Sequence, residues 1–526
     1  MNSSKTAERA DIKSNKNPKN NITTISLNLT CATVGLVLIF IPKLFFETGV
    51  ILGTLMLIIS GILSFITCLM LTQSSIICGA SSFPELCQKI MGKYSSIVEF
   101  FFALNLLGMI IGNPTFVSDS ISGIFIHLFF PSISVGSKQE NYMNLLVMFA
   151  TTLLIVPFII SKDISSLKKI STYSAIGYLI ALYAVITVFF FPKSYEIDRP
   201  SLSLEKMEYL NWEGLTTATG MFFLAMAVHV VVIDIHSQLR PRNEVNTFKL
   251  ISRSHTIAFV IFYTIGLLGY LCVYQDPQAS SLNNFFLFFL VHKKINSIVL
   301  RMAQLGLTFC FAIGNIFAYL PLIKIVENFI ILIKKETLTE KKKHLKSIEL
   351  ADNEQQSITN GNSGMITKNE ISISDFESSN QRSKMESNEE IMIVNESDGY
   401  KSRTQNKLSG NSTINDPVSK DKLDDIIVSI KVTQGETLYK KIALFLQGFI
   451  MTLLFIIIKN KISLYVVFNI VSAICYPTIC MIFPSLFFMA TIKKKRDLTT
   501  EEKGIGLGVI LIGIGVLFFM VINLFD

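Results

Sequence analysis

A histidine inside an apolar stretch is the first place to look for chemistry in this 526-residue chain. His229 sits past the middle of a run covering 214–236. An ionisable side chain is costly in a membrane and is therefore a functional candidate. The competing reading is a neutral imidazole hydrogen-bonded between helices. Asn28, Thr30 and Thr308 place amide and hydroxyl oxygens in similar surroundings, and a hard monovalent cation prefers oxygen. Gly35 interrupts another run just after β-branched Thr33 and Val34. A glycine costs roughly 1 kcal/mol in a helix interior, which suits a point where the backbone opens. Close helix packing is the alternative, because membrane interfaces also select small residues. Asp119 and Arg301 fall in the outer halves of their runs, where a structural ion pair and a substrate role weigh equally.

Other chemistries lack their residues. The six histidines are scattered, with no HExxH or metal spacing, and no Gly-x-Ser-x-Gly or phosphate-loop pattern is present. The sequence therefore predicts no enzyme and no protein-bound cofactor. Of eight cysteines most lie in apolar runs without a CxxC, so they read as packing residues rather than disulfides or ligands. The net charge of +8 comes mostly from the edges of apolar runs, and implies no nucleic-acid partner.

The elements that must position these residues are eleven apolar runs, at about 25–46, 49–72, 96–129, 142–160, 170–192, 214–236, 255–275, 296–333, 440–458, 463–490 and 504–525. Crossing the hydrocarbon core takes about 20 helical residues. Half the residues are hydrophobic and the mean hydropathy is +0.49, outside the range of ordinary soluble domains. The predicted class is an all-α polytopic membrane protein of about 11 transmembrane helices. With the N-terminus inside, the short inner segments carry 19 Lys and Arg and the outer ones nine, so a cytosolic N-terminus is expected. No cleavable signal peptide is expected, because the first 24 residues are polar. The predicted organisation is a disordered cytosolic N-terminus over 1–24, helices 1–8 over 25–334, a disordered cytosolic loop over 335–439 and helices 9–11 over 440–526. The loop is rich in Lys, Glu, Ser and Asn and poor in aromatics. Serines such as Ser378 and Ser397 stand as candidate phosphorylation sites against a low-complexity insert without function.

Motifs along the first eight runs resemble the amino acid/auxin permease family, which includes sodium-coupled neutral and vacuolar amino acid transporters. Asn28, Leu29, Ala32, Val34, Gly35, Pro42, Thr48 and Gly49 fall in register with that family's first helix. Its second Asn is Cys31 here, and its second Gly is Val37. Gly108 followed by Asp119, with Asn113 at an aromatic position, is similar to the family's third helix. Pro157, then Ser165 to Lys168, then Ser174 to Gly177 follow the fourth-to-fifth link. Phe222 to Ala225, His229 and Leu239 follow the sixth helix, with both family prolines replaced, by Val230 and Asp234. Pro321 matches run eight. The resemblance covers residues 26 to about 330.

The resemblance implies a five-plus-five inverted-repeat bundle of the leucine-transporter type with an eleventh span appended, and amino acids as substrates. Such transporters hold substrate where two equivalent helices are unwound. It places the expected substrate site on Thr33, Gly35, Gly108, Asn113, Ala225 and His229, and a monovalent cation site on Asn28, Thr30 and Thr308. A thiol is a poor ligand for sodium, so Cys31 turns the expected coupling toward protons or none. The expected function is secondary active transport of amino acids, as symport or uncoupled, across a plasma or vacuolar membrane. A sensor of the same fold, signalling through the long loop, is the alternative.

Overall fold

The computed structural model describes residues 22–130, 137–160, 167–195, 207–276, 284–293, most of 295–326, scattered positions of 441–450, and 464–522. The N-terminal segment 1–21 and nearly all of 327–463 lie outside them, so the expected loop and run nine do too. By contacts the chain forms two units, residues 1–330 with 437–526, and 331–436. Everything that follows concerns the first unit.

Among the described residues the secondary structure is helical, with no strand. Eight helices are long and apolar enough to cross a membrane. With the family membership established below, they make this an integral multi-pass membrane protein. The elements are α1 Ile22–Thr33, α2 Ile41–Thr48, α3 Val50–Cys78, α4 Phe83–Met91, α5 Ser95–Phe129, α6 Lys138–Ile160 and α7 Leu167–Phe190. They continue with α8 Trp212–Ala225, α9 His229–His236, α10 Glu244–Val273, α11 Ile298–Ile323, α12 Leu464–Tyr476, α13 Phe483–Lys495 and α14 Thr500–Ile522. Run one is not a single helix. It divides into α1, a 3-10 turn Leu36–Ile39 and α2. Run six likewise divides into α8 and α9, and run ten into α12 and α13 around a π segment Pro477–Ile482.

Burial separates lipid-facing from inward-facing sides. On α3 the exposed residues Ile51, Leu55, Ile58 and Ile62 form one stripe, while Ser60, Ser64 and Thr67 are buried. An apolar stripe left exposed beside buried hydroxyls suits a lipid solvent, which offers polar groups nothing. Side-chain oxygens cap the starts of α8 and α10, among others. Asn211 Oδ1 accepts from the N–H groups of Glu213 and Gly214 at 3.1 and 3.2 Å, and Asn243 Oδ1 from Asn246 at 2.9 Å.

Two glycine positions set the packing. Gly49 has φ +81°, and a side chain there would collide with the backbone of Glu208 and Tyr209. That segment runs alongside, with the Val50 and Ile51 N–H groups donating to the Glu208 and Tyr209 carbonyls at 3.1 Å each. At the crossing of α7 and α11, a Cβ on Gly177 would stand 2.7 Å from the Gly306 carbonyl oxygen, and one on Gly306 3.1 Å from Gly177 Cα. Small residues let membrane helices approach this closely.

Candidate functional site

The break in run one begins with hydroxyls that bond backward along their own helix. Ser26 donates to the Ile22 carbonyl at 2.8 Å, Thr30 to Ser26 at 2.9 Å and Thr33 to Leu29 at 2.8 Å. Such bonds compete with the main-chain ladder and bend helices. The ladder then ends. The Gly35 N–H reaches back to the Thr33 carbonyl at 2.8 Å, and Gly35 is extended at φ −93°, ψ −160°. A Cβ at Gly35 would meet nothing closer than the Thr33 carbonyl oxygen at 3.9 Å. Open space, not close packing, therefore accompanies this glycine. The first N–H groups of the turn that follows have no intrahelical acceptor.

The break in run six falls at Met226–Val228, with α8 ending at Ala225 and α9 starting at His229. The Met226 carbonyl accepts from Ser64 Oγ at 2.6 Å, so α3 supplies a partner that the helix does not. One turn along α3, Thr67 Oγ1 lies 2.7 Å from His229 Nε2 and 2.8 Å from the Leu63 carbonyl. A carbonyl only accepts, so the Thr67 proton goes to Leu63 and the imidazole is the donor to Thr67. His229 Nδ1 is then a lone pair. It is fully buried and has no hydrogen-bond partner among the described residues.

Both breaks open on one cavity of about 90 Å³. A single water needs about 10–15 Å³ by this measure, so there is room for several groups of that size. Its walls include residues 31–37 of the first break, Leu224, Ala227 and His229–Val231 of the second, Asn105 and Asn113 of α5, Ser174 and Tyr178 of α7, and Phe311 and Gly314 of α11. Most of the lining is apolar. Ser174 Oγ is a second buried polar atom without a partner among the described residues. Tyr178 donates to the Cys31 carbonyl at 3.4 Å, tying α7 to the end of α1.

Of the expected substrate residues, Thr33, Gly35, Asn113 and His229 line this cavity. Gly108 and Ala225 do not. A Cβ on Gly108 would face Val471 at 3.1 Å, and Ala225 is buried in the core at the end of α8. The cation-site candidates are not brought to the cavity. Thr30 donates to Ser26, with the Ser254 carbonyl at 3.5 Å, Thr308 donates to the Gln304 carbonyl at 2.7 Å, and Asn28 does not line the walls. The hydroxyl protons of both threonines are spent on their own helices. His229 combines its two alternative roles. It is bonded between helices through Nε2 and lines the cavity, with Nδ1 buried and without a partner among the described residues. Asp119 accepts from Asn144 Nδ2 at 2.9 Å and lies outside the cavity.

Asn105, Ser174 and Tyr178 join the site without having stood out as candidates in the sequence. A signal for the first is present there: Asn105 and Asn113 are eight residues apart in an apolar run, hence on one helical face.

All eight cysteines are free thiols. Cys31 and Cys310 line the cavity, and Cys310 Sγ donates to the Ser174 carbonyl at 3.1 Å.

Comparison with known proteins places the chain in a family. The amino acid transporter AVT6E of Arabidopsis thaliana is 22% identical over 262 residues, covering 49% of this chain and 53% of that protein. The putative amino acid transporter AAT1 of Plasmodium falciparum is 24% identical over 287 residues, 54% of this chain and 44% of that one. Solute carrier family 38 member 10 of Homo sapiens is 21% identical over 300 residues, 56% of this chain and 25% of that one. The chain thus spans between about a quarter and about half the length of the curated relatives it matches. The family described as transmembrane amino acid transporter protein matches residues 18–525, through both broken helices and every wall of the cavity. This chain belongs to that family.

Proposed function

We propose that the protein is a secondary active transporter that moves amino acids across a membrane by alternating access, with substrate held where runs one and six are unwound. The observation that carries this reading is the shared cavity between the two breaks, with His229 Nδ1 and Ser174 Oγ facing no partner. A zwitterion suits it. The α-carboxylate accepts from the first N–H groups after Gly35, at the positive end of a helical segment. The α-ammonium donates to His229 Nδ1 and to carbonyls at the end of α8. Thr33 and Asn113 complete the polar contacts, and Gly108 and Ala225 shape the wall from behind. The side chain occupies the apolar remainder, whose size favours small substrates.

Runs one and six are equivalent members of a five-plus-five inverted repeat, and the same reading gives eleven spans with a cytosolic N-terminus and a cytosolic 335–439 segment. Cys31 stands at the position where sodium-coupled members carry an amide, and Asn28, Thr30 and Thr308 do not line the cavity. Transport is therefore driven by protons or is uncoupled. A plasma membrane and a vacuolar membrane suit this reading equally.

The test is uptake of radiolabelled amino acids into proteoliposomes containing the purified protein. Accumulation that persists when choline replaces sodium and rises with an inward proton gradient is the expected result. Failure to move or exchange any of the twenty amino acids overturns the transport reading, and binding without flux would turn it toward a sensor. A strict sodium requirement would return Asn28 and Thr308 to the role of ligands.

A further inference from the structure

Ser64 stands where two acceptors compete for one proton. Its Oγ lies 2.6 Å from the Met226 carbonyl and 3.1 Å from His255 Nε2. Met226 closes α8 at the break, and His255 belongs to α10. The other ring nitrogen of His255, Nδ1, is 3.0 Å from the Ile251 carbonyl. A carbonyl cannot donate, so Nδ1 carries a hydrogen. In a neutral ring Nε2 is then a lone pair. Ser64 has one hydroxyl hydrogen, and can serve Nε2 or Met226 but not both. Only the doubly protonated ring satisfies every contact: Nδ1–H to Ile251, Nε2–H to Ser64, and the Ser64 hydroxyl to Met226.

We propose that His255 is the proton-coupling residue of the transport cycle, a positioning residue that acts through Ser64 on the α8–α9 break. The proposal rests on the transport reading above. When a proton binds, an Nε2–H bond forms and the ring becomes a donor to Ser64. Ser64 is then committed to the Met226 carbonyl, which the break deprives of a helical partner, and the broken segment is tethered to α3. When the proton leaves, Ser64 turns to the exposed Nε2 lone pair and the Met226 carbonyl loses its donor. The tether and the proton are thus one equilibrium.

His255 is buried between helices, and no fixed charge among their described residues bears on its proton. The Phe65 ring stands edge-on to the imidazole at 5.9 Å. Helices α1, α2, α3 and α7 pack on α10. Among the described residues they bring no carboxylate, lysine or arginine to bear on His255, and the titratable neighbour is His229. No fixed counter-charge holds the ring as a cation. His229 faces the cavity and is bonded to the same stretch of α3, one turn from Ser64.

The test reads the break directly and needs no flux. Hydrogen–deuterium exchange is followed on peptides covering residues 224–232 of the full-length protein in lipid nanodiscs, corrected for intrinsic exchange, from about pH 3 to 8, a window that brackets the ordinary histidine value and extends well to its acid side. Protection in the wild type is expected to fall about five- to tenfold as pH rises, the size of one net hydrogen bond. His255→Gln should abolish the pH response, and Ser64→Ala should be weakly protected at every pH. His229→Gln should keep the response. Should His255→Gln fail to fold, Ser64→Ala, which removes one oxygen, carries the test. A wild-type response that survives in either His255→Gln or Ser64→Ala, or that disappears in His229→Gln, overturns the assignment. So does a wild type without any response. If exchange follows His255 while proteoliposomes move no amino acid, the transport reading fails and the tether stands. If flux is present and exchange ignores His255, the reverse holds.

Discussion

His229 Nε2 lies 2.7 Å from Thr67 Oγ1, and the imidazole is the donor, because Thr67 gives its own proton to Leu63. This single bond leaves Nδ1 as the acceptor of the ring. His229→Ala removes the acceptor offered to a substrate ammonium. A hydrogen bond to a charged group contributes about 1.5–3 kcal/mol, so KM for uptake should rise at least about tenfold. Thr67→Val keeps His229 but strands its N–H, and should cost about 1–3 kcal/mol of stability as well as affinity. Uptake kinetics and thermal unfolding of the purified variants check both. Unchanged KM in His229→Ala would remove the ring from the binding site.

Gly35 separates into two predictions, because its backbone angles are open to any residue and its surroundings are empty. Gly35→Ala should fold normally, within about 1 kcal/mol of the parent, and retain measurable uptake. Gly35→Leu should fold too, but its side chain fills the cavity and uptake should disappear. Quantified folded protein alongside uptake distinguishes a blocked site from a lost structure. Normal uptake by the leucine variant would show that substrate passes elsewhere.

Gly177→Val is expected to act on stability first. Its Cβ would meet the Gly306 carbonyl and Cys310 Sγ at 2.7 Å each. Overpacking of this kind costs about 1–3 kcal/mol or more, because the obstacle is backbone. Gly508→Ala, with nothing within 4 Å, is the control and should leave the melting temperature unchanged or slightly raised. Equal melting temperatures for the two would contradict the close crossing.

A pH effect is expected at α4, outside the spans. Partial burial pushes the Glu85 carboxyl up, but the Lys89 ammonium and the Ser81 N–H and hydroxyl outweigh it and hold the group below the usual carboxylate range. The Lys89 and Ser81 N–H contacts are both 2.7 Å. A carboxyl depressed in the folded state stabilises above its ordinary value of about 4.3 and loses that contribution as pH falls through the folded one. The amides of residues 82, 83, 85 and 86 should therefore lose protection in acid, once exchange is corrected for its slower intrinsic rate there. Glu85→Gln should show fast exchange already at neutral pH, and slow exchange there would deny the carboxylate its role.

The sequence is most legible where a helix is long and uniformly apolar. Runs such as 49–72 and 504–525 correspond to α3, Val50–Cys78, and α14, Thr500–Ile522, with only their ends displaced. Gly35 signals the first break through its cost in a helix. The second break carries no such sign, because Ala225-Met-Ala-Val228 contains neither Gly nor Pro, and only side chains donated from α3 reveal why it holds. Which face of each helix turns inward is also hidden. Lipid and protein interior are equally apolar, so a membrane helix shows little periodicity, and Ser174 and Tyr178 could not be assigned to a cavity from one run. Cys31 stands out as a departure at a cation position, while its place in the cavity wall depends on α1 ending two residues later.

The meeting of Gly177 with Gly306 has a mechanical consequence. Side chains between helices serve as springs, absorbing small displacements by changing rotamer. Here main chain touches main chain and the spring is missing, so a push on α11 arrives at α7 undiminished. The pair behaves as a single strut. Ser174 and Cys310 sit about one turn from the contact on either helix. Their side of the cavity keeps its shape under load, and deformation is left to the opposite side, where both helices are already broken.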